Sequence, residues 1–286
     1  MQIMSKSIEE LQRIACVVRR DVLRMIHGAA SGHPGGSLGC TDFLVTLYFN
    51  IMKHNPDSFR MNGKGEDMFF LSNGHIAPAW YSVLARSGYF PISELSSLRK
   101  INSRLQGHPS IAEGLPGIRM ASGSLGQGLS CAIGAAIAKK LDNDNNFVYC
   151  LTGDGELQEG QIWEAAMFAA AHKVDNIIAV VDYNGKQIDG NVEDVISLGD
   201  LQLKWVSFGW KVLKMDGNNI QNIIDTMAHA KSLSGKSMPI IIIMKTIMGK
   251  GVDFMENSHK WHGVPPDDAQ LERALAQLAE GQNEDY

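Results

Sequence analysis

The chain has 286 residues, 44% hydrophobic and 20% charged, enough to bury a substantial core as one large domain or two small ones and unlike any disordered, collagenous or coiled-coil chain. Its 26 lysines and arginines against 31 aspartates and glutamates leave a formal charge of −5, with no basic excess to neutralise a phosphate backbone, so nucleic acid is not expected as a partner. The N-terminal stretch carries Glu9 and Glu10 where a signal peptide needs an unbroken apolar core, and the longest aliphatic run, Ile240 to Met244, is too short to span a bilayer; a cytoplasmic protein is expected.

Ser7 and Glu10 match a capping box, and Leu11, Ile14, Ala15, Val18, Val22, Met25 and Ile26 then recur on one helical face, so the chain opens with an amphipathic helix. A second apolar stretch, Thr41 to Met52, precedes a polar, glycine-containing segment and a short strand at 68–71, which ends at Ser72-Asn73-Gly74-His75. Short continuous apolar runs follow at 147–151, 177–181, 211–215 and 240–244, as expected of strands buried on both faces. Helices are expected between and after them at about 127–141, 162–173, 198–208, 220–233 and 267–279, which makes the fold α/β: a parallel sheet with helices on both faces. No linker or repeat divides the chain, so residues 1–286 read as a single domain. Cys16, Cys40, Cys131 and Cys150 lack CxxC spacing and read as small buried apolar groups in a reducing compartment.

In parallel sheets, ligands sit at the carboxyl ends of the strands. Strand 147–151 runs into Thr152-Gly153-Asp154-Gly155-Glu156, and strand 177–181 into Asp182-Tyr183-Asn184-Gly185-Lys186. The glycines beside Asp154 let backbone approach a ligand, and a helix beginning near Gly160 would offer N–H groups to an anion. Asp154 and Asn184 are hard oxygen donors of the kind that hold Mg²⁺ together with a substrate's phosphates. Singly, Gly-Asp-Gly and Asn-Gly are ordinary turns. Separated by 28 residues, one helix plus one strand, they fall on the same edge of the sheet.

That spacing resembles the thiamine diphosphate signature. Four further segments resemble transketolases in particular: Ser31-Gly32-His33-Pro34-Gly35-Gly36-Ser37-Leu38-Gly39, Leu71-Ser72-Asn73-Gly74-His75, Ser122-Gly123-Ser124-Leu125-Gly126-Gln127-Gly128 and Trp261-His262-Gly263-Val264-Pro265. The resemblance runs in order from about residue 8 to about residue 268, and it covers only the diphosphate-binding domain of a full-length transketolase. It implies the N-terminal subunit of a split transketolase, with the pyrimidine-binding domain, its catalytic glutamate and the C-terminal domain on a separate chain, in an α2β2 heterotetramer. The implied activity is transfer of a two-carbon ketol unit from a ketose phosphate to an aldose phosphate, as in the pentose phosphate pathway.

Carried over by position, the resemblance makes Asp154, Asn184 and the Lys186 carbonyl the ligands of Mg²⁺, or of Ca²⁺ or Mn²⁺ in its place. It assigns thiamine diphosphate to His75, Gly123, Ser124, Leu125, Gly153, Asp154, Gly155, Glu159, Asn184 and His262. Ser124 departs from the proline of many full-length members, which leaves its backbone role intact. His33, His75, His108 and His262 fit the imidazoles around the reacting carbon, able to donate, accept or shuttle a proton near neutral pH. The remaining histidines read as surface or core residues. Glu159 and Glu164 read either as interface carboxylates linking two sites or as a solvated helix face favoured by the N-terminal dipole. Trp163, Ala165, Ala166, Phe168 and Ala169 read as packing or interface. The rivals are another thiamine enzyme, such as a deoxyxylulose-phosphate synthase-like enzyme or a decarboxylase, a split transketolase-like enzyme for an unusual ketose, and a non-catalytic binding or regulatory subunit; the intact Asp154, Asn184 and loop histidines argue against the last.

Overall fold

The computed structural model describes residues 6–286. Helix α1 (Ile8–Gly28) starts at the expected capping box: Ser7 Oγ accepts from Glu10 N at 3.2 Å, and Glu10 Oε2 accepts from Ser7 N at 2.7 Å. The glycine-rich 31–39 segment folds as a short helix, α2 (Pro34–Gly39), followed by α3 (Thr41–Thr46) and a single π-helical turn, Leu47–Ile51. Strand β1 (Met68–Leu71) leads into α4 (Ala77–Arg86), a helix that the sequence pattern does not single out. Then come α5 (Gln127–Leu141), β2 (Val148–Gly153), α6 (Gly160–Ala171), β3 (Ile177–Tyr183) and a two-residue hairpin of β4 (Lys186–Gln187) and β5 (Gly190–Asn191). The chain continues through α7 (Val192–Ile196), α8 (Leu201–Ser207), β6 (Lys211–Asp216), α9 (Ile220–Leu233), β7 (Ile240–Lys245) and α10 (Asp268–Gln277). The expected 198–208 helix begins later because Asp200 caps it, accepting from Leu203 N at 2.9 Å.

The five long strands form one parallel sheet in the order β1-β2-β3-β7-β6. Alternate residues separate two cores, as the period-two geometry of a strand requires. Phe69, Leu71, Tyr149, Leu151, Ile178, Val180, Ile240, Ile242 and Met244 pack on one side with α1, α3, α4 and α9. Phe70, Val148, Cys150, Ile177, Ala179, Val181 and Ile241 pack on the other with α5, α6 and α8. The expectation of strands buried on both faces fails for β6, one of the two edge strands: only Met215 in it is buried and Lys211, Lys214 and Asp216 are exposed, whereas β1 at the other edge is buried throughout. Helix α1 also buries Arg19, Arg20 and Asp21, because each finds an opposite charge: Asp42 at 2.7 Å, Asp285 at 2.6 Å and Arg86 at 2.5 Å.

Helix α6 divides the stretch read as packing or interface. Ile162, Ala165, Ala166 and Ala169 cover the sheet, and Trp163 packs on Trp205 and Phe208, whereas Met167 and Phe168 face outward. The reading of all four cysteines as buried holds for Cys40 and Cys150; Cys16 is half-buried, and Cys131 lies exposed on α5.

Candidate active site

Because every strand of the sheet runs the same way, the loops after β1, β2, β3 and β7 emerge on one edge, where they wall a cavity of about 350 Å³. Helix α2 closes one side of it. The glycines there serve close packing: a Cβ on Gly35 would stand 2.7 Å from Met248 Cγ and 2.9 Å from the Trp261 carbonyl, and one on Gly36 would stand 2.9 Å from Ile76 Cγ2. This draws the segments bearing His33, His75 and His262 together.

His33 is the hub of an imidazole cluster, with ring centroids 5.1 Å from His75, 5.6 Å from His262 and 6.4 Å from His108; His75 and His262 are 5.2 Å apart. Burial, then the neighbouring imidazoles, lowers His33 to about 4 and His75 to about 3. Burial also lowers His108 and His262. Near pH 7 the cluster is therefore neutral, each ring with one donor and one acceptor nitrogen. The Nδ1 atoms of His33 and His262 and the Oδ1 of Asn73 are buried without a hydrogen-bond partner among the described residues, in side chains that line the wall.

Opposite the imidazoles, Asp154 follows β2 directly. Its Oδ1 accepts from Gly155 N at 2.8 Å and its Oδ2 from Gly185 N at 2.6 Å, which joins the two loops that the 28-residue spacing brings to one edge. Burial, then the nearby Asp182, raises its carboxyl to about 7. Strand β3 runs two residues beyond the expected end, so Asp182 lies within the sheet, opposite Gly153 and Met244. Its carboxylate accepts from Asn184 Nδ2 at 2.8 Å and from Thr246 Oγ1. Asn184 Oδ1 is thereby turned to Lys186 N, at 2.9 Å.

Of the residues expected at the site, His33, His75, His108, His262, Gly123, Leu125, Gly153, Asp154, Gly155, Glu159, Asn184 and Lys186 all line the cavity. Ser124 is exposed and outside the wall. Glu164 lies elsewhere, in a surface groove between α5 and α6 beside Phe168. The first turn of α6 is not part of the wall either, because a 3₁₀ turn, Gly155–Gln158, intervenes after Asp154. The sequence reading missed Asn73, Asp182, Met248 and Ile188, and Glu156, hidden in the same motif as Asp154. It also missed Arg99, whose Nη1 donates to Ser31 Oγ at 3.1 Å and whose charge contributes to holding His33 and His108 neutral. Its position in a loop with no ordinary motif gave no signal.

A carboxylate-and-amide pocket facing neutral imidazoles across a parallel sheet edge defines a cofactor-dependent α/β enzyme domain. Residues 11–284 match the model of the transketolase thiamine diphosphate-binding domain, and the chain belongs to that family. It is 41% identical to the 6-deoxy-6-sulfo-D-fructose transketolase subunit SqwG of Clostridium sp. (strain MSTE9), covering 96% of this chain and 98% of that one. It is 38% identical to an apulose-4-phosphate transketolase subunit of Phocaeicola vulgatus, over 92% and 91%. Among solved structures, transketolase from Campylobacter jejuni superposes with a TM-score of 0.87 at 33% identity, covering 96% of this chain but only 43% of that one. The chain thus spans nearly the whole of the subunit-type relatives and less than half of that larger enzyme, and it is an N-terminal transketolase subunit.

Proposed function

We propose that the chain catalyses thiamine diphosphate-dependent ketol transfer only with a second chain carrying the pyrimidine-binding and C-terminal domains and the activating glutamate. Residues 1–286 then constitute the diphosphate-binding domain of the enzyme. The relatives named as subunits support this division. The observation that carries the reading is the arrangement of four neutral imidazoles opposite Asp154 and Asn184.

The residues fit a diphosphate held through a divalent cation. Asp154 and Asp182 are buried side by side, and neither has a lysine or arginine partner among the described residues. Among those residues no group of three His, Cys, Asp or Glu is set to hold a metal ion. A cation here would rest on the Asp154 carboxylate, the Asn184 amide and the Lys186 carbonyl, with the diphosphate completing an oxygen shell suited to Mg²⁺ and tolerant of Ca²⁺ or Mn²⁺. Gly155 N would leave Asp154 Oδ1 for a diphosphate oxygen as that carboxylate turned to the cation. Gly123 and Leu125 would approach the cofactor's rings.

Thiamine diphosphate supplies, when bound, the nucleophilic carbon and electron sink needed to break and remake a ketose carbon–carbon bond. His33 and His262 orient the sugar's carbonyl and hydroxyl groups and pass protons at Nε2, the ring nitrogen left open to the cavity when Nδ1 is buried. His75 and His108 complete the wall around the reacting carbon. The donor is a ketose with an anionic end, a class consistent with the sulfonate and phosphate in the relatives' names. A heterotetramer suits the outward-facing Met167 and Phe168 and the groove of about 530 Å³ beside them. A reducing, cytoplasmic location suits four free cysteines. The test is reconstitution: the chain and its partner, mixed with cofactor and Mg²⁺ and assayed against ketose phosphates and pyruvate. Turnover of pyruvate but not of ketoses would overturn the reading in favour of a synthase.

A further inference from the structure

Helix α5 begins without a cap of its own. Its N-cap residue is Gly126, in the left-handed region at φ +86°, and no side chain from its own loop bonds its first amides. The acceptor comes from the metal-loop segment instead. Glu156, 2% exposed, accepts from Gly126 N at 2.8 Å on Oε1, and the same oxygen accepts from Ser72 Oγ. Ser72 Oγ in turn accepts from Gly128 N at 3.0 Å, which passes the cap on to a second amide of α5. Oε2 accepts from Gly153 N at 3.0 Å. One carboxylate thus joins the segment after β1 that bears His75, the 122–126 loop that bears Gly123 and Leu125, and the end of β2 that bears Asp154. The glycines record how tight the joint is: a Cβ on Gly128 would stand 2.4 Å from Ser72 Oγ, and one on Gly74 would stand 2.5 Å from Ser122 Oγ.

We propose that Glu156 is a positioning residue that holds three ligand-facing loops in register by capping α5 from across the cavity, an inference that rests on the cofactor reading above. Both of its oxygens are occupied by protein donors, so it acts through the loops and not on a ligand. Glu156→Gln keeps the shape but replaces one acceptor oxygen by a donor, and an N–H then faces an N–H at Gly126 or at Gly153.

The test uses wild type, Glu156→Gln and the milder Ser72→Ala, which keeps the carboxylate and removes only the relay to Gly128. In the chain without cofactor, hydrogen exchange is expected to quicken by about tenfold in both 122–128 and 153–155 for Glu156→Gln, with β7 unchanged, and only in 122–128 for Ser72→Ala. In the complex with the partner chain, titration of thiamine diphosphate with Mg²⁺ is expected to give a Kd about tenfold weaker for Glu156→Gln and about threefold weaker for Ser72→Ala. General destabilisation is told apart by β7, whose exchange it would quicken together with that of the loops. Wild-type Kd in Glu156→Gln, or faster exchange confined to 153–155, overturns the proposal. If Glu156→Gln does not fold, unchanged exchange and Kd in Ser72→Ala overturn it alone. If the wild-type complex itself shows no saturable cofactor binding, the proposed function fails, and the exchange measurement still decides the clamp.

Discussion

Acidification from pH 7.5 to 5.0 is expected to destabilise the isolated chain by about 2 kcal/mol through His75 alone. The imidazole titrates at 6.5 when unfolded and at about 3 in the cluster, where burial and the facing imidazoles of His262, His33 and His108 oppose its charge. Its folded value is depressed, so below pH 6.5 the unfolded chain binds a proton that the folded chain refuses, and stability falls with pH until the folded group also titrates. At pH 5.0 the unfolded group lies 1.5 units below its pKa; at about 1.36 kcal/mol per unit, this gives about 2 kcal/mol. The figure does not depend on the exact folded value provided that value is well below 5, and it is an upper value because the ring reaches solvent in part. His33 adds in the same direction. Asp154, raised to about 7, opposes both, since its protonation on acidification relieves a buried charge. Comparison of wild type with His75→Gln isolates the one imidazole. Urea unfolding in EDTA at both pH values should show the wild type losing about 2 kcal/mol more than the variant. Equal losses would refute the claim that the cluster excludes protons.

The 286-residue chain alone is expected to show no ketol transfer, and addition of the partner chain should restore it; robust turnover by the purified chain would end the split-enzyme reading. Asp154→Ala should abolish Mg²⁺-dependent cofactor binding in the assembled complex, and His33→Ala should leave cofactor affinity nearly intact while lowering turnover; calorimetry combined with steady-state rates separates them. Phe168→Glu is expected to leave the folding of the chain unaltered, because the ring is 48% exposed, and to weaken assembly with the partner. Light scattering with and without cofactor checks it, and an unchanged heterotetramer would move the interface elsewhere.

The strands were legible because a parallel sheet covered on both faces requires continuous apolar runs, and four of the five keep that pattern. Edge strand β6 shows why the fifth did not. Lys211-Val212-Leu213 looks buried in one dimension, and only the packing shows that it is less covered than β1, the other edge strand. Helix α2 was illegible for the opposite reason. Glycine weakens a helix locally, but here close approach to Met248, Trp261 and Ile76 outweighs that cost, and such contacts lie more than 30 residues away in sequence. Asp154, Asn184 and the four histidines could be found because each stands beside glycine or proline in a loop that resembles a transketolase segment. Glu156 and Asp182 could not, because their roles consist of hydrogen bonds to other loops.

The electrostatics of the wall explain why cation and diphosphate should bind together. Asp154, Asp182, Glu156 and Glu159 bring four carboxyl groups to one cavity. Its one lysine, Lys186, turns its ammonium to Asn191. Burial raises the pKa of Asp154, Asp182 and Glu156; Glu156 offsets it with the Ser72, Gly126 and Gly153 donors, Asp182 with Thr246, Cys40 and Asn184. Asp154 has two backbone amides and a value near neutrality. A bare diphosphate would meet repulsion here, and a bare divalent ion would meet one carboxylate, one amide and one carbonyl, too few oxygens to fill its shell. On the proposed reading each ligand would supply what the other lacks, and the coupling would be reciprocal: whatever factor the cation adds to cofactor affinity, the cofactor adds to cation affinity.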